Sequence, residues 1–202
     1  QGISSLSEGS LSYMIKQGVK ELSMSSKGLE IPGYDPRNIS GLALAYATSN
    51  RGACHMSAFM AGPELLGKPV GLDRFVLQGK AGFVKLFQDL AAVIDSVVLC
   101  PFVSFALSEG EIASLISAAT GVSYSSEDLL RVGERIWNLE RSFNLGAGFT
   151  CDDDTLPRRM FSNGGISEGE FKRTIAEYYR FRGWDSLGVP TTGKLAQLGI
   201  TF

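Results

Sequence analysis

Apolar residues recur at helical spacing in separate stretches of the chain. The pattern is strongest over residues 80–99, where apolar side chains fill more than half of the helix circumference. A helix of this kind is expected to be buried at the centre of a domain. Residues 7–22 show the same spacing with more polar positions between. We therefore predict a central helix over 80–99 and a more peripheral one over 7–22.

Polar residues at helix starts predict the remaining helices of the second half. Ser108-x-x-Glu111 and Ser167-x-x-Glu170 are capping boxes, in which the serine and the glutamate satisfy backbone N–H groups of the first turn. Another apolar stretch follows Ser125 and has acidic residues at its start. The predicted helices of this half are 109–119, 125–143, 168–181 and 192–198.

Prolines and small residues organise the first half. Pro32 and Gly33 break any helix, and Asp35 can cap a helix that begins at Pro36. This helix should run to about Thr48 and, being rich in alanine, should pack tightly. There is no internal repeat and no long alternating strand, although a small ribbon is expected over 72–77. The predicted fold class is an all-α, irregular multi-helix domain.

Charge and hydropathy exclude two classes of function. The chain has 19 basic and 21 acidic residues, for a net charge of −2, and they are evenly mixed. This balance does not indicate a nucleic-acid surface. No apolar run has the roughly eighteen residues of a membrane span, and no signal-peptide pattern is present. We expect a cytoplasmic protein with neither a nucleic-acid nor a membrane partner. Because the first residues lack an initiator methionine and lead directly into a helical pattern, we also expect the sequence to begin within a longer chain.

The cysteines are few and far apart. Cys54, Cys100 and Cys151 form no C-x-x-C pair and do not resemble a disulfide framework. A four-thiolate iron–sulfur cluster cannot be built from three separated cysteines. Any metal site that this chain supplies must therefore be a partial one.

Asp95 and Cys100 leave two interpretations open. Asp95 stands in an apolar segment, where an unpaired carboxylate would cost several kcal/mol. Either the protein neutralises it or a ligand does, and a carboxylate suits two parallel N–H donors on a heterocycle edge. Cys100 is either a small buried apolar residue or a thiolate ligand to iron.

The remaining polar motifs carry weaker signals. His55 is the only histidine, which excludes a two-histidine metal site or a histidine triad within this chain. It is either structural or a proton carrier that titrates near neutral pH. The acidic run 152–154 reads as a solvated loop, because three consecutive acids cannot all face one ion.

Several ordered motifs carry a resemblance to one family. Residues 34–37 (Tyr-Asp-Pro-Arg) and 45–55, which end in Asn-Arg-Gly-Ala-Cys-His, are similar to the aldehyde:ferredoxin oxidoreductase family. Residues 95–102 resemble its Asp-x-x-x-Leu-Cys motif for pterin and cluster binding. Residues 143–144, 154–157 and 178–191 also match, so the resemblance runs from about residue 20 to the end.

The resemblance implies cofactors and roles. The family holds tungsten between two pterins (tungstopterin, a bis-molybdopterin tungsten) and carries one [4Fe–4S] cluster. Asp95 and Leu99 resemble pterin-binding positions, Cys100 resembles the fourth cluster ligand, and His55 resembles a histidine that moves protons near the metal. Pro101 stands where a basic residue is usual, which leaves ligation intact but removes a cation beside the cluster.

The resemblance also implies a domain layout and a reaction. Residues 1–24 would end the middle helical domain, and 25–202 would form the C-terminal helical domain. The whole enzyme would oxidise a small aldehyde to a carboxylic acid and pass electrons to ferredoxin. The alternatives are an aromatic-acyl or sugar-phosphate aldehyde substrate, or a helical scaffold domain without activity. We expect the isolated 202-residue piece to lack both cofactors and activity, and to self-associate, for example as a homodimer.

Overall fold

The computed structural model describes residues 6–201, and their regular secondary structure is almost entirely helical. The only sheet among these residues is a two-stranded antiparallel ribbon of β1 (Ser25–Ser26) and β2 (Leu29–Glu30). This confirms the predicted all-α class. The α-helices are α1 (Ser10–Lys16), α2 (Ser40–Thr48), α3 (Ala81–Ser96), α4 (Glu109–Thr120), α5 (Ser126–Gly146), α6 (Glu168–Arg182) and α7 (Thr192–Gln197).

Short 3₁₀ helices and one π-helical segment join these elements. A π-helical segment at Gly62–Leu66 follows α2, and a 3₁₀ helix at Pro101–Phe105 follows α3. The other 3₁₀ helices of the described residues are Leu6–Glu8, Lys20–Leu22, Cys151–Asp153 and Arg158–Phe161. None of the described helices is long and apolar enough to cross a membrane.

The predicted helix starts at Ser108, Ser125 and Ser167 are confirmed. Each serine side chain accepts a hydrogen bond from the backbone N–H three residues later. At Ser108 the glutamate also returns the bond, which completes the predicted capping box, whereas at Ser167 only the bond to the serine is formed and the predicted box is incomplete. These starts are readable from sequence because all of their partners lie within one helical turn.

α3 is the central helix, and it packs mainly against α5 and α6. Its buried positions include Val84, Leu90, Val93 and Ile94, in agreement with its predicted place in the core. α2 is buried along its whole length, because its small side chains let neighbouring elements approach closely. At Gly41 an added Cβ would lie 2.7 Å from the end of the Met60 side chain, which would have to shift to admit a larger residue.

A polar network ties four helices together inside this core. Gln88 of α3 donates to Thr48 of α2 at 2.9 Å and accepts from Tyr178 of α6 at 2.6 Å. Tyr178 in turn accepts from the indole N–H of Trp137 on α5 at 3.0 Å. Arg182 donates to Tyr178 and Gln88 and forms an ion pair with Asp89. All of these side chains are buried, and every polar group of the network has a partner.

A second buried ion cluster corrects the prediction for residues 152–154. Asp154 is buried and receives a bidentate hydrogen bond from Arg141 at 3.1 and 2.8 Å. Lys27 lies 2.7 Å from the same carboxylate, and Tyr179 donates to it at 2.5 Å. The solvated-loop prediction is therefore wrong for Asp154, because its cationic partners come from distant parts of the chain.

Three further predictions of the first half need correction. The helix expected from Pro36 begins at Ser40, because Asp35 instead accepts from the backbone N–H of Arg37 in a turn. The helix expected over 7–22 is divided into α1 and the 3₁₀ turn that follows it. The ribbon expected over 72–77 is absent from the described structure, and the chain pairs at Ser25–Glu30 instead.

Gly133 provides a test of the close contact between α3 and α5. A Cβ at this position would lie 2.0 Å from the carbonyl oxygen of Asp89, which is backbone and cannot rotate away. We expect Gly133→Ala to lower the free energy of unfolding by about 2–3 kcal/mol through overpacking. Urea unfolding followed by circular dichroism measures it.

Gly146, at the end of the same helix, is the matched control. Nothing lies within 4 Å of a Cβ built there. Gly146→Ala should be neutral or stabilise the protein by up to about 1 kcal/mol, because alanine favours a helix. Equal losses for the two variants would contradict the proposed close approach.

Candidate functional site

An open cavity lies where the C-terminal end of α3 meets α5 and the loop after α2. Its volume is about 710 Å³, enough for a drug-sized or cofactor-sized heterocycle. Polar side chains from three separate parts of the chain line it. They are Ser49, Asn50, Arg51 and Ser57 from the loop, Asp95 and Ser96 from α3, and Glu140 and Asn144 from α5.

The core network positions this cavity. Gln88 and Asp95 are seven residues apart on α3 and therefore lie on nearly the same face of the helix. Gln88 bonds Thr48, the last residue of α2, and the cavity loop begins at the next residue. Trp137 belongs to both the network and the cavity wall.

Asp95 is exposed at this cavity, which corrects the expectation that it is buried in an apolar environment. The preceding residues Val93 and Ile94 are buried, but the helix end itself reaches the surface. Among the residues that the structure describes, no cation lies within ion-pairing distance of its carboxylate. Asp95 is therefore available to a ligand.

Asn50 and Glu140 form a polar pair across the cavity. The Asn50 side-chain amide donates to Glu140 Oε2 and to the carbonyl oxygen of Trp137, both at 3.1 Å. Desolvation raises the pKa of Glu140, and the negative charge of Asp95 adds to the rise. Asn50 Oδ1 is buried and has no hydrogen-bond partner within the described residues.

Leu99 and Cys100 follow α3 on a sharp turn. Leu99 is half-buried against the apolar cluster of α3, α4 and α5, whereas Cys100 is an exposed free thiol. Val98 makes the turn with a φ of +58°, and its side chain is 91% exposed. A β-branched residue rarely adopts this left-handed conformation. The helix therefore ends in a left-handed turn between Asp95 and Cys100, in which the Leu99 N–H donates to the carbonyl oxygen of Ile94 at 3.1 Å.

His55 lies in an aromatic cluster. Its ring is half-buried, 5.1 Å from the ring of Tyr34 and 6.2 Å from that of Phe59. Phe59 also contacts Phe102 and Phe105 of the 3₁₀ helix that follows Cys100. The cluster thus connects the loop of His55 to the segment of Cys100. Desolvation lowers the pKa of His55.

The structure brings some of the predicted site residues together and leaves others apart. Asp95 shares the cavity with the loop that carries His55, but His55 itself is not among the cavity residues. Among residues 6–201 no group of three acidic, thiol or imidazole side chains that could hold a metal ion is formed, at Cys100 or elsewhere. The predicted roles of His55, Asp95, Leu99 and Cys100 remain predictions.

Sequence reasoning missed Asn50 and Glu140 as site residues. They are 90 positions apart, so no local spacing relates them. Asn50 does stand in the matched segment 45–55, but that segment by itself assigns no role to it. That Asn50 Oδ1 has no hydrogen-bond partner among the described residues can be found only from the folded structure.

The fold and the cavity define an all-α domain with an open cavity, lined in part by polar side chains, at the end of its central helix. A family model described as "Aldehyde ferredoxin oxidoreductase, domains 2 & 3" matches residues 1–200. The chain therefore belongs to the aldehyde ferredoxin oxidoreductase family, and the resemblance read from its motifs is confirmed.

Two curated relatives carry the name tungsten-containing aldehyde ferredoxin oxidoreductase. The protein from Pyrococcus furiosus is 44% identical over 203 residues, and the alignment covers 96% of this chain and 34% of the relative. The protein from Thermococcus kodakarensis is 42% identical with the same coverage. The chain thus spans about a third of the length of these relatives.

A solved structure shows the same fold at much lower identity. It is the active site complex BamBC of benzoyl coenzyme A reductase in complex with 1,5-dienoyl-CoA. The TM-score is 0.56 at 18% sequence identity, and the match covers 93% of this chain and 29% of that chain. At this identity the likeness concerns the fold alone.

The turn at Val98 gives a test of the site geometry. Val98→Gly should raise the free energy of unfolding by about 0.5–1 kcal/mol, because glycine adopts positive φ without strain and little packing is lost at this exposed position. Chemical unfolding of the purified chain measures the change.

Val122 is the control for this substitution. It is also an exposed valine, at 53%, but its φ is not positive. Val122→Gly should lower the free energy of unfolding by about 0.5–1 kcal/mol through lost backbone restriction. A loss of stability in Val98→Gly would show that the left-handed turn is not formed.

Proposed function

We propose that this chain is the C-terminal part of an oxidoreductase that oxidises aldehydes to carboxylic acids and passes the electrons through an iron–sulfur cluster to ferredoxin. One observation carries the proposal within this family: the Asp95 carboxylate faces a large cavity, no cation among residues 6–201 forms an ion pair with it, and a free, exposed thiol follows five residues later. A carboxylate and a thiolate so placed suit a heterocyclic metal cofactor and an iron site.

The cavity residues fit a pterin. The ring edge of a pterin presents adjacent N–H donors, which a carboxylate can accept as a bidentate pair. Asp95 is exposed at the cavity and is available for this. The backbone of Leu99, in the turn after α3, would contact the same pterin. We infer that the cofactor is tungstopterin, in line with the names of the relatives.

Cys100 would supply one thiolate to a [4Fe–4S] cluster. A cluster of this type takes four cysteine ligands. Cys54 is buried and Cys151 is half-buried, whereas Cys100 is exposed. The other ligands would come from parts of the enzyme outside this chain. Because one short turn joins Asp95 to Cys100, the pterin and the cluster would be neighbours, which suits electron transfer between them.

His55 would move protons during the reaction. Burial lowers the pKa of its imidazole, so the ring is neutral near pH 7 and can accept a proton. Its contacts with Tyr34 and Phe59 hold the ring in place and keep it partly out of water. The oxidation of an aldehyde with water releases two protons and two electrons, so a proton acceptor near the reacting carbon is required.

The tungstopterin, when bound, would accept the two electrons of this oxidation. The protein's part is to bind the ring edge at Asp95, hold iron at Cys100 and move a proton at His55.

The wider proposal includes residues 1–24 as the end of a middle domain, residues 25–202 as the last domain, and a cytoplasmic enzyme with ferredoxin as partner. The remaining domains would belong to the same chain and cover the cavity.

Substitution of Cys100 and Asp95 in the full-length protein tests the proposal. We expect the anaerobically purified protein to hold tungsten, pterin and about four iron atoms per polypeptide, and to reduce ferredoxin when an aldehyde is added. Cys100→Ser should remove most of the cluster absorbance and the activity, because it takes away one of the four thiolates. Asp95→Asn should lower the retained pterin at least about tenfold, because the bonds to a charged acceptor are lost.

Cys151→Ser and Asp152→Asn are the matched controls. Cys151 is a free cysteine away from the cavity, and Asp152 is an exposed carboxylate. Both variants should keep metal and pterin at the wild-type level. Absence of tungsten and iron from the full-length protein, or equal iron loss in the two cysteine variants, would count against the proposal.

A further inference from the structure

We propose that the β1–β2 ribbon positions the loop after α2, and that Lys27, at the tip of the ribbon, is a positioning residue for His55. This loop covers residues 49–57 and contains His55 as well as part of the cavity wall. The role of His55 rests on the proposed function, whereas the attachment of the loop to the ribbon does not depend on it.

The ribbon ends in a tight two-residue turn. Ser26 pairs with Leu29, and Lys27 and Gly28 between them have positive φ angles of 48° and 80°. Positive φ at both central residues is typical of a type I′ turn, which fits the twist of a two-stranded ribbon. The Lys27 side chain is only 2% exposed. The tip of the ribbon therefore carries a buried ammonium group.

This ammonium group binds the end of α2. Lys27 Nζ donates to the carbonyl oxygen of Ala47, the second-last residue of that helix. Carbonyl groups in the last turn lack an N–H partner within the helix, so Lys27 supplies the missing donor. Asp154 Oδ1 lies 2.7 Å from the same ammonium group and balances its charge. The ribbon is thereby attached at the point where the loop begins.

The ribbon also contacts the middle of the loop. A Cβ at Gly52 would lie 2.5 Å from the carbonyl oxygen of Ser26 and 2.9 Å from Leu29 Cβ. Gly52 has a φ of +96°, which a residue with a side chain rarely adopts. The loop backbone therefore lies directly against the ribbon, three residues before His55.

Other contacts hold the two ends of the same loop. Asn50 is bonded to α5 through the carbonyl oxygen of Trp137 and the Glu140 side chain. The segment that leaves β2 places the ring of Tyr34 5.1 Å from that of His55. α5 thus holds the beginning of the loop, while the ribbon and the segment after it hold the part that leads to His55.

Removal of the Lys27 charge should loosen the loop without unfolding the domain. Asp154 would keep its bidentate bond from Arg141 and its hydrogen bond from Tyr179, so no buried carboxylate is left without a partner. Lys27→Met retains an unbranched apolar side chain and removes the ammonium group. The bond that has no substitute is the one to Ala47, and we expect the change to be local to the loop.

Hydrogen exchange of the full-length protein, measured on peptides by mass spectrometry, tests the attachment. In Lys27→Met the amides of residues 49–55 should exchange about tenfold faster than in the wild type, because a charged hydrogen bond is lost. The amides of α4 should exchange at the wild-type rate. Phe171→Leu is the control for a general loss of stability, because Phe171 is buried on α6. It should not accelerate the exchange of 49–55 selectively.

Gly52→Ala tests the same attachment from the side of the loop. Its Cβ would force the loop away from the ribbon, so residues 49–55 should again exchange faster. Gly148→Ala is the matched control, because Gly148 has nearly the same φ, +98°, but nothing lies within 4 Å of a Cβ built there. This variant should leave the exchange of 49–55 unchanged. Gly52→Ala also decides the proposal if Lys27→Met does not fold.

Activity per bound tungsten tests the effect on His55. Lys27→Met should lower kcat per tungsten at least about tenfold and keep the KM for the aldehyde within about threefold, because a displaced proton acceptor slows the chemical step more than substrate binding. A purely structural role of Lys27 would reduce the amount of folded enzyme and leave kcat per tungsten at the wild-type value.

The outcomes separate the attachment, the role of Lys27 and the proposed function. Wild-type exchange of residues 49–55 in either folded variant, Lys27→Met or Gly52→Ala, would overturn the attachment. Faster exchange with an unchanged kcat per tungsten would overturn the positioning of His55. If the wild-type protein holds no tungsten, the proposed function fails, and the exchange rates still decide the attachment.

Discussion

The candidate site depends on the buried polar network that joins α2, α3, α5 and α6. In its centre, Gln88 and Tyr178 bond each other, and Arg182 bonds both while it pairs with Asp89. A charged group so deeply buried is stable only when its partners are all in place, and removing one partner typically costs about 3–5 kcal/mol. Such a network favours one arrangement of the four helices over other arrangements of the same apolar surfaces.

The cavity is a direct consequence of that arrangement. α3 comes so close to α5 at Gly133 that no side chain fits between them. Two turns beyond Gln88, the same helix reaches the surface and presents Asp95 to the space between α5 and the loop after α2. The left-handed turn at Val98 then ends the helical path, and Cys100 is exposed four residues after the last residue of α3. A rigid core thereby places an acid and a thiol at the edge of the domain.

Exposed apolar side chains surround this edge. Phe143 is 77% exposed and Phe102 is 56% exposed, although both lie beside the candidate cofactor positions. Large exposed apolar side chains beside a cavity are common on surfaces that a ligand or another domain covers. Within the proposed enzyme, the cofactor and the remaining domains would provide that cover, which agrees with a chain that spans a third of its relatives.

The features that could be predicted from sequence are those whose causes are local. The helix starts at Ser108 and Ser125 depend on partners three residues away, and the burial of α3 follows from its own apolar pattern. The burial of Asp154 depended on distant cations. The exposure of Asp95 depended on where the neighbouring helices end.

The candidate site divides in the same way. Asp95 and Cys100 could be named because they share one short motif. The pairing of Asn50 with Glu140 could not, because it crosses 90 positions and exists only after α2 and α5 have packed.

A crystal structure of the full-length protein, with anomalous maps at the tungsten and iron absorption edges, tests the central claim most directly. The account predicts a pterin ring edge against the Asp95 carboxylate in the cavity at the end of α3, and an iron atom bonded to Cys100 Sγ. A cavity empty of heterocycle, with Asp95 paired to a protein cation and the iron bound elsewhere, would contradict it.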